Sequence, residues 1–448
     1  MIELTKEYIE HLREVIELKD ETAAVNMLQE LYPADIAELF QELDLEEAIY
    51  LYMLMDGEKA ADVLMELDEE DRRKLLKELP SELIAKRFID FMETDDAVDL
   101  MRELDEDTQE EILSQIEDVE QAGDIVDLLK YDEDTAGGLM GTEMIVVNEN
   151  WSMPKCLEEM RSQAEEMDEI YYVYVVDDDE RLRGVLPLKK MITSPSVSKI
   201  KHVMKKDPIA VKDSDSIEEV AQTIEKYDLV ALPVIDSIGR LVGRITIDDV
   251  MDEVREQHER DYQLASGISQ DVETSDNVIL QTAARLPWLL IGMIGGLGNS
   301  VLLGGFESSF AANPKMALFI PLIGGTGGNV GIQSSAIVVQ GLANNSLKQG
   351  NVWKQIVKES AVSLINASII SLVVFIYNFF MLNNRAITAS VSLSLFAVVM
   401  FASIFGTLVP MTLDRFKIDP ALATGPFISI TNDIIGMMIY MFITAALS

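Results

Sequence analysis

The chain has 448 residues and a formal net charge of −42, from 78 acids against 36 bases, with one cysteine and three histidines. Such an acid excess excludes nucleic acid and anionic lipid as attractive partners and favours cations. The lone thiol, Cys156, excludes an intrachain disulfide framework, and three scattered histidines disfavour a zinc site.

The charge is unevenly spread. Six acids and eight bases fall in residues 276–448, which leaves 72 acids and 28 bases ahead of them. The front therefore reads as a soluble acidic assembly and the back as a membrane domain. The start, MIELTKEYIEHLREVIELKD, is charged and amphipathic and lacks the apolar core of a signal peptide.

Residues 1–130 read as short amphipathic helices. A phrase recurs: AELFQELD at 37–44, ADVLMELD at 61–68 and VDLMRELD at 98–105. Each is half a helix with apolar positions three and four apart, closed by an acid able to cap the next helix. The recurrence predicts a solenoid-like helical stack. Most of its acids are expected to be a solvated face.

Residues 131–253 change character. VVDDDERLRGVLPLKKM (175–191) lines up with VIDSIGRLVGRITIDDV (234–250). Each predicts a strand, an acidic turn, a second strand and a helix, with a helix upstream. The doubled β-α-β-β-α unit resembles a tandem CBS pair. That resemblance implies a nucleotide ribose at Thr246 and Asp249 of the second copy, whereas Pro187 and Lys190 stand at those places in the first. Residues 254–282 follow as a highly charged connecting helix, expected to act as a lever or as an ordinary linker.

Residues 283–448 hold five stretches long enough to span, since about 20 apolar residues cross a hydrocarbon core. They are 286–306, 316–347, 360–382, 386–413 and 420–447. With the front half inside the cell, Arg285, Lys348, Lys354, Lys358, Arg415 and Lys417 are cytoplasmic and only Lys315 and Arg385 lie outside, which satisfies the positive-inside preference. The C-terminus is then outside. The second stretch carries a glycine run with Thr326, Asn329, Gln333, Ser334 and Ser335. Asn329 and Gln333, four apart, share a helix face. The run lacks the lysine of a phosphate-binding loop.

The fifth stretch carries Thr424, Ser429, Thr431, Asn432 and one charge, Asp433. An acid at a bilayer centre costs about 2.5–3.5 kcal/mol on insertion scales, so it faces a partner or a water-filled path. No base lies in any of the five stretches, which points to a mobile cation. Close packing of small residues is the structural alternative.

The order of parts, with DTAGGLM (134–140), GTGGNVGIQ (325–333) and DPALATGP…NDIIG (419–436), resembles the MgtE-type magnesium transporters along the full chain. The fold class is accordingly a multidomain membrane protein: a helical N-domain, a tandem CBS pair, a connecting helix and five transmembrane helices. The resemblance implies a homodimeric Mg²⁺-selective channel in the cell membrane, with Asp433 of each subunit as the selectivity site. Asn432, Asn329 and Gln333 are candidates for holding the ion's water shell. Mg²⁺ keeps several waters and binds through one or two carboxylates, which suits a pair of acids on a two-fold axis. The resemblance also implies closure by cytosolic Mg²⁺, through Asp62, Asp95 and Asp99 of the N-domain, Glu218, Asp228 and Asp249 of the CBS pair, Asp252 and Asp261 of the connecting helix, and Asp419. Gln257, Arg260, Lys189 and Lys190 depart from the expected pattern, so ion stoichiometry and ATP at the CBS pair stay open. A broader Co²⁺, Mn²⁺ or Ca²⁺ transporter, a CBS-regulated sensor without flux and a CBS-regulated anion channel are the competing readings. No nucleophile–base pair or metal triad points to an enzyme.

Overall fold

The computed structural model describes residues 4–164, 167, 170–270, 272, 277–343, 347, 352–381, 384–423 and 425–447. Asp276, Lys348, Leu382 and Thr424, which entered the sequence reading, lie outside the described residues. The chain divides into two compact units, Met1–Arg255 and Glu256–Ser448.

In the first unit short helices run from Lys6 to Leu128: α1 Lys6–Glu17, α2 Glu21–Gln29, α3 Pro33–Gln41, α4 Leu45–Leu54, α5 Gly57–Met65, α6 Glu69–Lys77, α7 Ser81–Arg87, α8 Thr94–Arg102, α9 Glu106–Leu113 and α10 Val119–Leu128. The recurring acids end up where their spacing suggests. Asp44 N-caps α4 in a capping box with Glu47, and Asp105 caps α9 by accepting from the Thr108 amide. Asp68 stands before α6 and accepts instead from the Gln41 side-chain amide at 3.1 Å. Scarce bases close helix ends: Lys59 Nζ donates to the Leu28 and Leu31 carbonyls at 2.8 and 2.7 Å.

The predicted β-α-β-β repeat is present. One sheet orders β1 Ile145–Asn148, β2 Val173–Val176, β3 Leu182–Leu186 and β4 Lys205–Lys206, with α11 Ala136–Leu139, α12 Met153–Gln163 and α13 Leu188–Thr193 around it in sequence. The other orders β5 Val211–Lys212, β6 Ala231–Ile235 and β7 Leu241–Thr246, with α14 Ile217–Tyr227 between its first two strands. In both, the first pair is parallel and the second antiparallel. Both hairpins slip register at the equivalent step, Val175/Val176 and Val234/Ile235. The two turns pair with each other: Leu182 N donates to Gly239 O and Leu241 N to Glu180 O, each at 3.1 Å.

Core membership does not follow the repeat. One apolar cluster runs from Leu12 through Leu100, Met101 and Ile125 into Val220, Leu232, Val234 and Ile245 of the second copy. The first copy has a separate cluster around Ile145, Cys156, Val173 and Leu186. The segment between helices and sheets makes the join, since Ala136 N and Gly137 N donate to Asp215 O and Asp213 O at 2.8 Å.

Helix α15, Ile247–Ala265, carries the division between units. The second unit continues with α16 Val278–Gly304, α17 Glu307–Ala312, α18 Ile320–Ala343, α19 Val352–Met381, α20 Arg385–Arg415 and α21 Gly425–Leu447. By length and composition, four helices among the described residues can cross a membrane: Val278–Gly304, Trp353–Met381, Arg385–Arg415 and Gly425–Leu447. The glycines, amides and hydroxyls of α18 dilute its apolarity, so the count of five spans does not rest on composition. Helix α20 is the centre of the unit and packs on α18, α19 and α21. The third helix begins at Val352, earlier than the expected 360, so Glu359 lies within it and is buried.

Replacing Leu232 by Ala should destabilise by about 2–5 kcal/mol. Because the core is shared, hydrogen exchange should rise in α8 and α10 together with the second sheet, while β1–β3 stay protected. Exchange confined to the second sheet would contradict a common core.

Candidate cation sites

The glycine run of α18 lets α21 come close. A methyl built on Gly324 would lie 3.2 Å from Asp433 Oδ1, and one on Gly328 would lie 3.2 Å from Ser429 Oγ and 3.8 Å from Asp433 Oδ1. The Asp433 carboxylate thus lies close to the bare backbone of Gly324 and Gly328. Asn432 is 1% exposed; its amide donates to Gly327 O at 3.4 Å, and its Oδ1 has no partner among the described residues. A side chain on Gly331 would collide with that amide. Asn329 and Gln333 share a face as expected, but an exposed one, next to the buried Gly324, Gly328 and Gly331 face that meets α21. The structure brings Asn432 and Asp433 to the glycines of α18 and leaves Asn329 and Gln333 turned outward.

A second concentration of acid lies in the first unit, where the start of α8 meets the second CBS copy. Ligand oxygens of Glu93, Asp95 and Glu143 all lie within 4.8 Å of one another. Thr94 positions Glu143, its N donating to Oε1 at 2.9 Å and its hydroxyl to Oε2 at 3.0 Å. Gly141 leaves room for the pair: a methyl there would stand 2.7 Å from Asp95 Oδ2 and 3.1 Å from Glu143 Oε2. The Arg244 guanidinium, 5% exposed, holds both oxygens of Glu93 at 2.9 and 2.8 Å and also donates to Glu143 O. An all-oxygen set of this kind fits a hard divalent cation.

The acids are crowded. Burial, and then the charges of Asp249, Asp96, Glu143 and Glu93, raise Asp95 well above the usual carboxylate range. Burial, then Asp249, Asp99, Glu93 and Asp62, push Asp96 up to about 7. Burial lifts Glu93 against Arg244, whereas Asp99 is exposed and pairs with Arg102 at 3.3 Å. Asp249 is raised by burial although the Thr246 amide and hydroxyl both donate to it.

Of the sequence candidates, Asp62, Asp95, Asp99 and Asp249 share this electrostatic neighbourhood. Glu218 and Asp228 are exposed at opposite ends of α14, Asp228 in the left-handed conformation that closes the helix. Asp252 pairs with Arg255 at 3.3 Å. Asp261 is half-buried on α15, and Asp419 is exposed and accepts from Ala421 N at 2.7 Å. Glu93, Asp96, Glu143 and Arg244 escaped the sequence reading. Thr246 and Asp249 bond each other, and the nearby cleft lined by Tyr171, Tyr172, Tyr174 and Arg244 offers a cavity of about 10 Å³, about enough for one water molecule.

The family description "MgtE: Divalent cation transporter" matches residues 320–443, "MgtE intracellular N domain" matches 31–134, and CBS domains match 136–195 and 200–256. The magnesium transporter MgtE of Enterococcus faecalis is 33% identical over 321 residues, 72% of this chain and 71% of its own length. This chain belongs to the MgtE family. The MgtE of Thermus thermophilus is 33% identical over 316 residues, 70% of each chain. Among MgtE-related structures, the soluble part of a magnesium transporter matches 56% of this chain and 98% of its own, with 30% identity and a TM-score of 0.51. The cytosolic domain of the Mg²⁺ channel MgtE in complex with ATP matches 55% and 99%, with 32% identity and a TM-score of 0.52.

Acids with raised values bind protons more tightly folded than unfolded, so their contribution to stability is present below about pH 4 and is lost as pH rises toward 7. In chelator, thermal unfolding of the first unit within the full chain should weaken across that window. Asp96→Asn should flatten the fall and add about 1–3 kcal/mol at pH 8. An unchanged pH profile in Asp96→Asn would remove the crowding account.

Proposed function

We propose that this chain is a Mg²⁺-selective channel of the cell membrane. In this reading it works as a homodimer with five spans per subunit, α16 and α18–α21, its N-terminus cytoplasmic and its C-terminus outside. The parts are the N-domain 1–130, the CBS pair 131–253, the connecting helix 254–282 and the membrane domain 283–448. The observation that carries it is the Asp433 carboxylate lying against the bare backbone of Gly324 and Gly328. Two such acids facing across a two-fold axis hold a hydrated divalent ion through its waters. The orphan Oδ1 of Asn432 is a further acceptor for that water shell. Asn329 and Gln333 support a second copy, because exposed amides on a membrane helix are costly against lipid and suit a water-filled axis. Family membership and relatives that are magnesium transporters support the substrate.

Regulation follows from the acids. Without cations the cluster around Asp95, Asp96, Asp99 and Asp249 repels itself. Cytosolic Mg²⁺ neutralises it, favours the packed cytosolic unit and closes the pore, a ligand-shifted equilibrium. Asp62, Glu218, Asp228, Asp252, Asp261 and Asp419 complete the proposed sensing set. Nucleotide at Thr246 and Asp249 is a secondary element, supported by the solved relative bound to ATP, and requires the cleft beside Arg244 to widen. Selectivity for softer metals is disfavoured by oxygen-only ligands; wider passage of Co²⁺, Mn²⁺ or Ca²⁺ is the second reading.

Asp433→Ala should abolish Mg²⁺ flux into proteoliposomes while dimer mass and unfolding temperature stay as in the parent chain. Normal flux in that variant removes the pore assignment. Asp249→Asn with Asp252→Asn should raise the cytosolic-side Mg²⁺ needed to halve the current by about tenfold, the scale of one charge-assisted contact. Closure at the parent concentration would put the sensor elsewhere.

A further inference from the structure

A second buried acid stands in the membrane unit. Glu359 of α19 is 8% exposed. Ser334 Oγ of α18 donates to its Oε1 at 2.7 Å, Ser403 Oγ of α20 donates to the same oxygen, and the two hydroxyls lie 3.0 Å apart. No base pairs with Glu359 among the described residues. The face of α19 that carries it is turned inward through Ser363, Ala367 and Asn378, all buried, while exposed apolar side chains such as Val362, Ile369, Val373 and Phe380 cover much of the rest. Ser363 touches Met400 Sδ at 3.4 Å and Ser371 donates to Ser392 O, so α19 is zipped to α20 by polar contacts.

The triad sits one turn from a close crossing of α18 and α20. Gly331 precedes Ser334 by three residues and Gly406 follows Ser403 by three. A side chain on Gly406 would collide with Gly331 O, and one on Gly331 would collide with the Asn432 amide. The chain of contact is therefore short: Glu359 sets Ser334 against Ser403, these set the backbone of α18 against α20, and Gly331 in turn seats Asn432 beside Asp433. An acid held in a membrane interior is costly unless it has a task.

We propose that Glu359 is a positioning residue of the ion path. As the shared acceptor for hydroxyls on two helices, it fixes the register of α18 on α20, and so the geometry of Asn432 and Asp433. This rests on the pore assignment above. What matters is the acceptor, not the charge, so an amide oxygen at the same place is sufficient.

The test is Mg²⁺ uptake by proteoliposomes of the full chain, read with an indicator dye for half-saturating Mg²⁺, maximal rate and preference for Mg²⁺ over Ca²⁺. A purely architectural loss lowers the amount of active protein and leaves half-saturation and preference unmoved. Glu359→Met should shift half-saturation about tenfold, the scale of one hydrogen bond to a charged group, and narrow the preference. Glu359→Gln should stay within about twofold of the parent, because its carbonyl still accepts. Parent values in Glu359→Met overturn the proposal, as does a Gln variant as impaired as the Met variant. If the Met variant does not assemble, Ser403→Ala carries the same expectation and leaves little void. Asp433→Ala is run alongside: flux in that variant defeats the pore assignment, whereas a dead Asp433→Ala beside a normal Glu359→Met defeats the positioning role alone.

Discussion

Carboxylates withdrawn from water without enough bases to pair them are the constraint on which the rest of this molecule depends. A lone buried charge is costly, and removing one partner of a buried pair is costlier still. The chain meets the constraint in two ways. In the first unit Arg244 is set among Glu93, Asp95 and Glu143, and burial with like charge makes Asp95 and Asp96 hold their protons more firmly. In the membrane unit no base pairs with Glu359 or Asp433 among the described residues; the hydroxyls of Ser334 and Ser403 donate to Glu359, and Asp433 lies close to the bare backbone of Gly324 and Gly328. In the proposed channel the same shortage would serve ion sensing in the first unit and ion passage in the second.

Glycine does related work where helices must approach. The backbone of Gly425 is left-handed, and a side chain there would collide with Ala265 O at the end of α15. The end of the connecting helix is thereby seated directly on the first turn of the helix that carries Asp433, within one compact unit. In the proposed channel this contact is a direct route by which a displacement of α15 would reach α21.

Local chemistry was legible in the sequence. The acids closing each AELFQELD-like phrase are helix caps or stand at cap positions, and the repeat at 175–191 and 234–250 extends to the matching register slip. Asp433 was conspicuous because it is the one charge in its stretch. What stayed hidden depended on long-range packing. Glu93 and Arg244 are 151 residues apart, and nothing local marks either as a partner. Glu143 looks like any acid before a strand. Glu359 fell outside its span by one residue, because a charge at the edge of an apolar run reads as the boundary; only the hydroxyls on two other helices reveal it as interior.

The shared apolar cluster has a consequence for synthesis. The helices between Leu12 and Ile125 leave the ribosome long before Val220, Leu232 and Ile245 exist to complete their core. The first CBS copy, with its own cluster around Ile145 and Val173, emerges in between and closes on itself. The nascent chain therefore carries an unfinished, strongly acidic helical stack past an independently closed module. The last layer of that core is contributed by the second copy, and the stack's excess of like charge opposes association between neighbouring nascent chains.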